Sequence, residues 1–235
     1  SWIDIYIKKI MAFHHSPRTV SRGVVFNFDP INKKCYAGSG TEATSSIGNA
    51  TGTLTNGLTY NGTALVFDGT DEQVQFNNYL NDTFTSNVFT VSIWHNPTDV
   101  STNYNYLFTN GYPVQFTLQN NQIAYWGASD NSGTYFVNSF KASTGISTGN
   151  WYNHVFVNRA SNDREWFING VSDGTNTGNG TPATSNHASG GVRIGDWAGG
   201  GFDYNGQISQ ITVYNQAHTE EEILQNYNAM KGRYE

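Results

Sequence analysis

Charged residues, cysteines and prolines are all scarce in this sequence. Only 13% of the 235 residues are charged, and 18 acidic against 12 basic side chains give a formal net charge of −6. A phosphate-binding surface needs clustered lysine and arginine, so nucleic acid is excluded as the expected partner. The single cysteine, Cys35, excludes an intrachain disulfide. No apolar run is long enough for a membrane-spanning helix, so no membrane insertion is predicted.

Glycine and aromatic residues are abundant instead. The chain has 25 glycines, and 14% of its residues are aromatic. This composition suits short strands joined by many turns, and strand-like alternation recurs roughly every 8–20 residues. The sequence therefore predicts an all-β fold, an antiparallel β-sandwich of the jelly-roll type with one short C-terminal helix.

The last strand is predicted over Gly206–Tyr214, after a glycine-rich loop. Its apolar residues Ile208 and Ile211 are three positions apart, which is out of phase with the two-residue period of a strand. A β-bulge near Ser209 or Gln210 would return both side chains to one face.

The C-terminal helix is predicted over residues 219–231. Thr219 is a good N-cap, and Glu222 three residues later completes a capping box. Four apolar residues form one stripe that we expect to pack on the sandwich: Ile223, Leu224, Tyr227 and Met230.

Alternation also predicts the core and the most reliable hairpin. Asn169-Gly170 is the strongest hairpin signal, because both central positions of a type I′ turn need positive φ. His95 and His154 are interpreted as strand residues hydrogen-bonded to neighbours. The residues expected to be buried between the two sheets are Trp94, Val155, Val157, Trp166, Ile168, Ile211 and Val213.

Residues 1–22 are predicted to be an extended arm and linker, and residues 23–235 the sandwich domain with its helix. Within the arm, Ile3, Ile5 and Ile7 alternate with polar residues, and Trp2 lies on the opposite side. Such a strand gains burial and hydrogen bonds by folding back onto its own domain or by joining the edge of a neighbouring subunit. We prefer the second docking.

The run from Gly206 to Ile223, G-x-I-x-x-I-x-V-Y-N-x-A-x-T-x-E-E-I, resembles the closing segment of laminin G-like domains. Three further segments resemble the family in the same order: LVFDGTDEQVQF (65–76), FTVSIWHNP (89–97), and WYNHVFV (151–157) followed by WFING (166–170). The resemblance implies the concanavalin A-like lectin/glucanase superfamily. That superfamily contains enzymes, lectins and structural modules, so the fold alone does not specify a function.

Both ends of the chain resemble laminin G-like structural proteins of tailed, especially marine, bacteriophages. The segments are MAFHHSPRTVSRGVVFNFDP (11–30) and YNQAHTEEEILQNYNAMKGRYE (214–235). This resemblance implies a virion protein, such as a capsid decoration, fibre or tail-associated component. Its partners would be other virion proteins, copies of itself and a host-surface glycan. The alternatives are a secreted or surface lectin and a glycan-cleaving hydrolase.

A retaining glycosidase needs two carboxyl groups about 5–5.5 Å apart. Laminarinase-like members of the superfamily supply them from a run like E-x-D-x-x-E, which this sequence lacks. Asp163 and Glu165 are the nearest approach, but they lie at the ordinary hairpin of the family. The sequence therefore predicts that the protein is not an enzyme.

No cofactor is predicted, although calcium is left open. Many relatives hold calcium at the sandwich rim, and Asp68 and Asp71 are the most ligand-like pair, with Asp196 and Asp203 as a second. The alternative for Asp68 is that it caps its own Asp68-Gly69 turn.

Carbohydrate binding would use aromatic platforms in rim loops with carboxylate or amide partners. Two stretches fit that description, although their rings could instead cover the ends of the sandwich. The candidate ligand-binding residues are Asp196, Trp197, Asp203 and Tyr204 in the glycine-rich loop, and Tyr104, Tyr106 and Tyr112 in the second stretch.

Overall fold

Two antiparallel sheets face each other across one aromatic-rich core. The structure, a computed structural model, describes residues 18–77, 80–101, 103–111, 114–128, 135–178, 191–197 and 201–235. The arm residues Trp2, Ile3, Ile5 and Ile7 and the candidate Tyr112 lie outside this described part. No helix among the described residues is long and apolar enough to span a membrane.

Sixteen strands occur within these described ranges. In chain order they are β1 (Val24–Phe28), β2 (Glu42–Thr44), β3 (Thr51–Thr55), β4 (Thr59–Tyr60), β5 (Leu65–Asp68), β6 (Gln73–Phe76), β7 (Phe89–Pro97), β8 (Asn103–Asn110), β9 (Gln115–Gln119), β10 (Gln122–Ala128), β11 (Tyr135–Lys141), β12 (Tyr152–Ala160), β13 (Asp163–Ile168), β14 (Val171–Asn176), β15 (Val192–Ile194) and β16 (Asn205–Tyr214). A short helix α1 (Asn81–Thr85) precedes β7, and helix α2 (Glu220–Met230) follows β16.

The first sheet has the order β14-β13-β12-β7-β16-β5-β4, and β1 also pairs with β16. The second sheet has the order β11-β10-β9-β8-β15-β6-β3-β2. Every pairing between these strands is antiparallel. The predicted all-β sandwich is therefore confirmed.

Strand β16 lies at the centre of the first sheet. Its whole length pairs with β7, and on its other edge the N-terminal half pairs with β5 and the C-terminal half with β1. The register against β7 shifts between Ile208 and Ile211. Both side chains are buried in the core, so the predicted bulge is confirmed.

The helix start is also as predicted. Thr219 accepts from the backbone N–H of Glu222, and the Glu222 carboxylate accepts from the N–H of Thr219. A 3-10 turn, Lys231–Arg233, continues the chain. The expected apolar stripe is partly wrong, because Ile223 is buried whereas Leu224 is 45% exposed. At one end of β14, Asn169 and Gly170 form the predicted hairpin turn with φ values of 51° and 82°.

The outer face of the first sheet carries a second, smaller core. Val155, Val157, Phe167 and Ile223 cluster beneath α2, apart from the main core between the sheets. Trp94 belongs to this covered face too, since it stacks on tyrosines of the C-terminal segment. The prediction that Trp94, Val155 and Val157 are buried between the sheets is therefore wrong. It is correct for Trp166, Ile211 and Val213, and Ile168 is partly buried against the main core.

Candidate functional site

Five aromatic side chains come together on the outer face of the second sheet. Tyr104 and Tyr106 come from β8, Trp126 from β10, and Trp197 and Phe202 from the loop between β15 and β16. Ring centroids are 5.7 Å apart for Tyr104 and Trp126, 6.0 Å for Tyr104 and Phe202, and 6.1 Å for Tyr106 and Trp197. We call these five residues the aromatic cluster.

The rings of the aromatic cluster differ in exposure. Tyr104 and Phe202 are each 38% exposed, Trp126 and Trp197 are partly buried, and Tyr106 is buried. An edge-to-face contact of 75° joins the two exposed rings. The cluster therefore presents two aromatic side chains to solvent and supports them with three others.

Beneath the rings lies a row of buried polar side chains on β9. Phe116 and Leu118 point into the core, so the alternation of the strand turns Gln115 and Thr117 outward. Trp126 Nε1 donates to Thr117 Oγ1 at 3.1 Å, and the Tyr106 hydroxyl donates to Gln115 Oε1 at 3.0 Å. These bonds fix the orientation of the two rings within the sheet.

The loop that carries Trp197 and Phe202 is closed at its base by the main chain. Tyr204 N donates to Gly195 O at 2.8 Å, and Tyr106 N donates to Phe202 O at 3.0 Å. Gly195 has a φ of 89°, and a Cβ there would lie 2.1 Å from the Phe67 ring. Only glycine fits this close approach, which sets the direction of the loop.

Three carboxyl groups lie next to the aromatic cluster. Burial raises the pKa of Asp196, and burial together with the neighbouring Asp196 charge raises the pKa of Asp203 to about 6. Asp71 adds to both shifts through its charge, while Arg193 opposes the shift at Asp196. The ground beside the rings is thus acidic, with a proton readily retained by the Asp196–Asp203 pair.

Tyr204, grouped with the rim by sequence, is instead a core residue. It is fully buried, and its hydroxyl lies 3.0 Å from Nδ1 of His95, whose Nε2 lies 2.8 Å from Nδ1 of His154. Burial lowers the pKa of His154 to about 3 and holds the pKa of His95 well below its ordinary value. Both histidines are therefore neutral and hydrogen-bonded to neighbours, as the sequence predicted.

The candidate calcium ligands Asp68 and Asp71 are both exposed. Asp68 Oδ1 accepts from the backbone N–H of Thr70 at 2.9 Å, so Asp68 caps its own turn, and this bond contributes to lowering its pKa. Nowhere in the described ranges do three histidine, cysteine or acidic side chains converge as a metal-binding group. Because Ca²⁺ takes six to eight oxygen ligands, these side chains fit a calcium ion poorly.

Asp163 and Glu165 both bind Arg159, at 3.3 Å and 2.7 Å. Glu165 also accepts from the Ser172 hydroxyl on β14. Their oxygens are thus taken up by contacts between neighbouring strands of the first sheet, far in sheet order from β8 and β10.

Sequence reasoning missed Trp126 and did not select Phe202. Trp126 could have been found, because Ile123 and Tyr125 alternate inward and their neighbour must then face outward. The meeting of Phe202 with Tyr104 carried no sequence signal. It arises because β15, which leads into the loop, pairs with β8.

The sequence matches a laminin G-type family profile described as the concanavalin A-like lectin/glucanases superfamily, over residues 68–224. Among curated proteins, no sequence matches this chain.

Several solved structures share the fold. One is domain 4 of AbnA, a GH43 extracellular arabinanase from Geobacillus stearothermophilus in complex with arabinotriose, with a TM-score of 0.65 and 19% identity over 87% of this chain and 98% of that one. A Trypanosoma rangeli sialidase has a TM-score of 0.65 and 12% identity over 92% of this chain but 34% of its own. The botulinum neurotoxin serotype D binding domain has a TM-score of 0.61 and 14% identity over 87% of this chain and 51% of its own.

Proposed function

Because the chain belongs to the concanavalin A-like lectin/glucanases superfamily, we propose that it is a non-enzymatic glycan-binding protein whose ligand rests on the aromatic cluster. The observation that carries this proposal is the exposed pair Tyr104 and Phe202, held on a fixed platform of Trp126 and Tyr106. Sugar rings present C–H faces that pack on such side chains. The arabinotriose complex of the similar arabinanase domain lends support.

The charge around the cluster indicates the class of glycan. Asp71, Asp196 and Asp203 influence one another electrostatically beside Trp197 and Phe202. A carboxylate-bearing sugar would be repelled there, whereas a neutral glycan would gain hydrogen-bond acceptors. We therefore expect neutral oligosaccharides to bind and sialylated ones to be rejected.

A glycan array followed by calorimetry tests this function. Tyr104→Ala and Trp126→Ala should each weaken the best neutral glycan by about tenfold, since losing an aromatic contact costs about 0.5–1.5 kcal/mol beyond its buried area. Tyr60→Ala, at a partly exposed tyrosine of the first sheet, is the matched control and should leave the affinity unchanged. Equal affinity in all four proteins would refute the site.

A second proposal concerns the setting of this binding. The two segments that resemble phage proteins contact each other: Gln225 Nε2 donates to Arg18 O, Val20 N donates to Asn226 Oδ1, and Arg22 pairs with Glu222. The shared contact supports interpreting them as one structural unit. We propose a virion structural protein, with other virion proteins and copies of itself as partners.

Purified particles separate this setting from the alternative of a secreted or surface lectin. Under the virion proposal, mass spectrometry finds the protein in stoichiometric amounts in particles, and microscopy finds it at regular positions. Recovery of the protein only in culture medium would favour the extracellular lectin. Glycan binding is compatible with either setting.

The remaining alternative is a glycan-cleaving hydrolase, and we propose that the protein is not one. Asp163 and Glu165 are held by Arg159 in contacts within the first sheet, which suits a structural role. Asp163→Asn with Glu165→Gln should leave all activity unchanged. Release of sugar from a β-glucan panel that disappears in this double variant would overturn the proposal.

A further inference from the structure

A second concave site lies on the outer face of the first sheet, opposite the aromatic cluster. It is a pocket of about 260 Å³ between α2 and the segments at residues 19–21 and 46–47. Its floor is formed by β7, β12 and β16, with Asn27 of β1 at one side. We call it the helix-side pocket.

The chemistry of the helix-side pocket is uncharged throughout. Among the described residues, no acidic or basic side chain lines it. Amides and hydroxyls alternate with aliphatic side chains at the rim, such as Val24, Ile47 and Met230. An ion entering this pocket would lose hydration without gaining a partner charge, so the pocket selects against charged ligands.

Two polar groups of the floor retain hydrogen-bonding capacity. Asn27 Oδ1 accepts from Gln210 Nε2 at 2.9 Å and from Thr212 Oγ1 at 2.8 Å. Within the described part of the chain, Gln210 Oε1 then has no donor, and the Ser92 hydroxyl, which accepts from Asn153 Nδ2, has no acceptor. The floor therefore offers one acceptor and one donor to an incoming molecule.

The aromatic residue of the floor contributes an edge and not a platform. Trp94 stacks on Tyr234 with centroids 4.2 Å apart and on Tyr227 at 5.7 Å. Its faces are thus engaged by the C-terminal segment. Recognition in this pocket must depend on hydrogen bonds and on contacts with the aliphatic rim.

We propose that the helix-side pocket binds a single uncharged sugar unit, independently of the aromatic cluster. Each sugar hydroxyl is both donor and acceptor, which matches the Ser92 hydroxyl and Gln210 Oε1. The volume of about 260 Å³ falls just below the range of about 300–1,000 Å³ for drug-sized ligands, so one pyranose ring fits better than a chain.

This second site would give the protein two sugar contacts on opposite faces of one sandwich. A molecule with two sites can bridge two glycan strands, and its avidity then exceeds either single affinity. The alternative occupant is the segment that precedes the wall at residues 19–21. Its Ile3, Ile5 and Ile7 match the polar floor poorly, so we favour the sugar.

Amide NMR of the full chain tests the proposal with defined probes. These are the methyl glycosides of glucose, mannose, galactose and N-acetylglucosamine, with glucuronic acid and glucosamine as charged counterparts. At least one neutral glycoside should shift the amide signals of Ile47 and Asn226, and the charged sugars should not. No shift at these two amides with any neutral probe overturns the proposal.

Two variants and one control locate the binding. Ser92→Leu removes the donor and Gln210→Leu removes the acceptor, and each should weaken the probe by about tenfold or more. Tyr104→Ala, in the aromatic cluster, should leave this binding intact and affect the other site alone. If Ser92→Leu does not fold, Gln210→Leu decides, and unchanged affinity in it refutes the site.

Deletion of residues 1–10 separates the alternative occupant. Unchanged Ile47 and Asn226 signals in the deleted, sugar-free protein support the sugar proposal. Shifts at both amides, with no glycoside binding in the intact chain, would identify the arm as the occupant. Failure of Tyr104→Ala to affect array binding would refute the aromatic cluster and leave the helix-side pocket standing.

Discussion

Replacing His154 by asparagine tests whether the two core histidines are held neutral. His154 and His95 are both fully buried, and burial lowers the pKa of His154 to about 3. In the unfolded chain a histidine takes up its proton near pH 6.5. Below that pH the unfolded state binds more protons than the folded state, so acidification favours unfolding.

The magnitude follows from the width of the window. Each buried neutral histidine lowers the free energy of unfolding by about 1.4 kcal/mol per pH unit below about pH 6.5, hence by about 2.7 kcal/mol at about pH 4.5. Asparagine keeps a polar atom near the position of Nδ1 but leaves a void and does not titrate. His154→Asn should therefore cost about 1–3 kcal/mol at neutral pH, and most of that difference should vanish at about pH 4.5.

Urea unfolding followed by tryptophan fluorescence measures both differences, with one slope assumed for the two proteins. The comparison between variants is necessary because the raised pKa of Asp203, about 6, acts in the opposite direction on the wild type. Phe156→Leu, at the fully buried neighbour two positions along β12, is the matched control and should give a pH-independent loss. A stability difference between wild type and His154→Asn that does not change with pH would refute the reasoning.

Three further predictions concern the core, the metal and the arm. Ile211→Ala should cost about 2–5 kcal/mol, because Ile211 is fully buried beyond the bulge, and an unchanged melting midpoint would contradict that placement. Adding calcium or a chelator should leave the melting temperature unchanged, whereas a rise with calcium that Asp71→Asn removes would establish a calcium site. Deleting residues 1–10 should weaken assembly in sedimentation experiments and leave the melting of the isolated domain unchanged; a lower melting temperature would favour docking onto the same chain.

The aromatic cluster was only partly predictable. Tyr104, Tyr106 and Trp197 were selected from aromatic-rich loops, and the structure brings these three together. Tyr204 was selected on the same ground but is fully buried against His95. A ring in a loop and a ring in the core look alike in sequence, because position in the fold, not residue type, decides whether a tyrosine meets solvent.

The sequence by itself determined the features that depend on near neighbours in the chain. The capping box at Thr219, the Asn169-Gly170 turn and the bulge before Ile211 all follow from backbone geometry and side-chain reach over a few residues. The alternation of β1, β9 and β16 likewise determined which residues enter the main core.

Only the tertiary structure decided which face of a strand is covered by what. β12 is buried along most of its length on both faces, so its pattern does not distinguish the face against the second sheet from the face beneath α2. The sheet order decided the rest, because it places β15 beside β8 and so brings Phe202 to Tyr104 across a long stretch of chain. Contacts of this kind depend on strand pairing between distant segments, which local propensity does not encode.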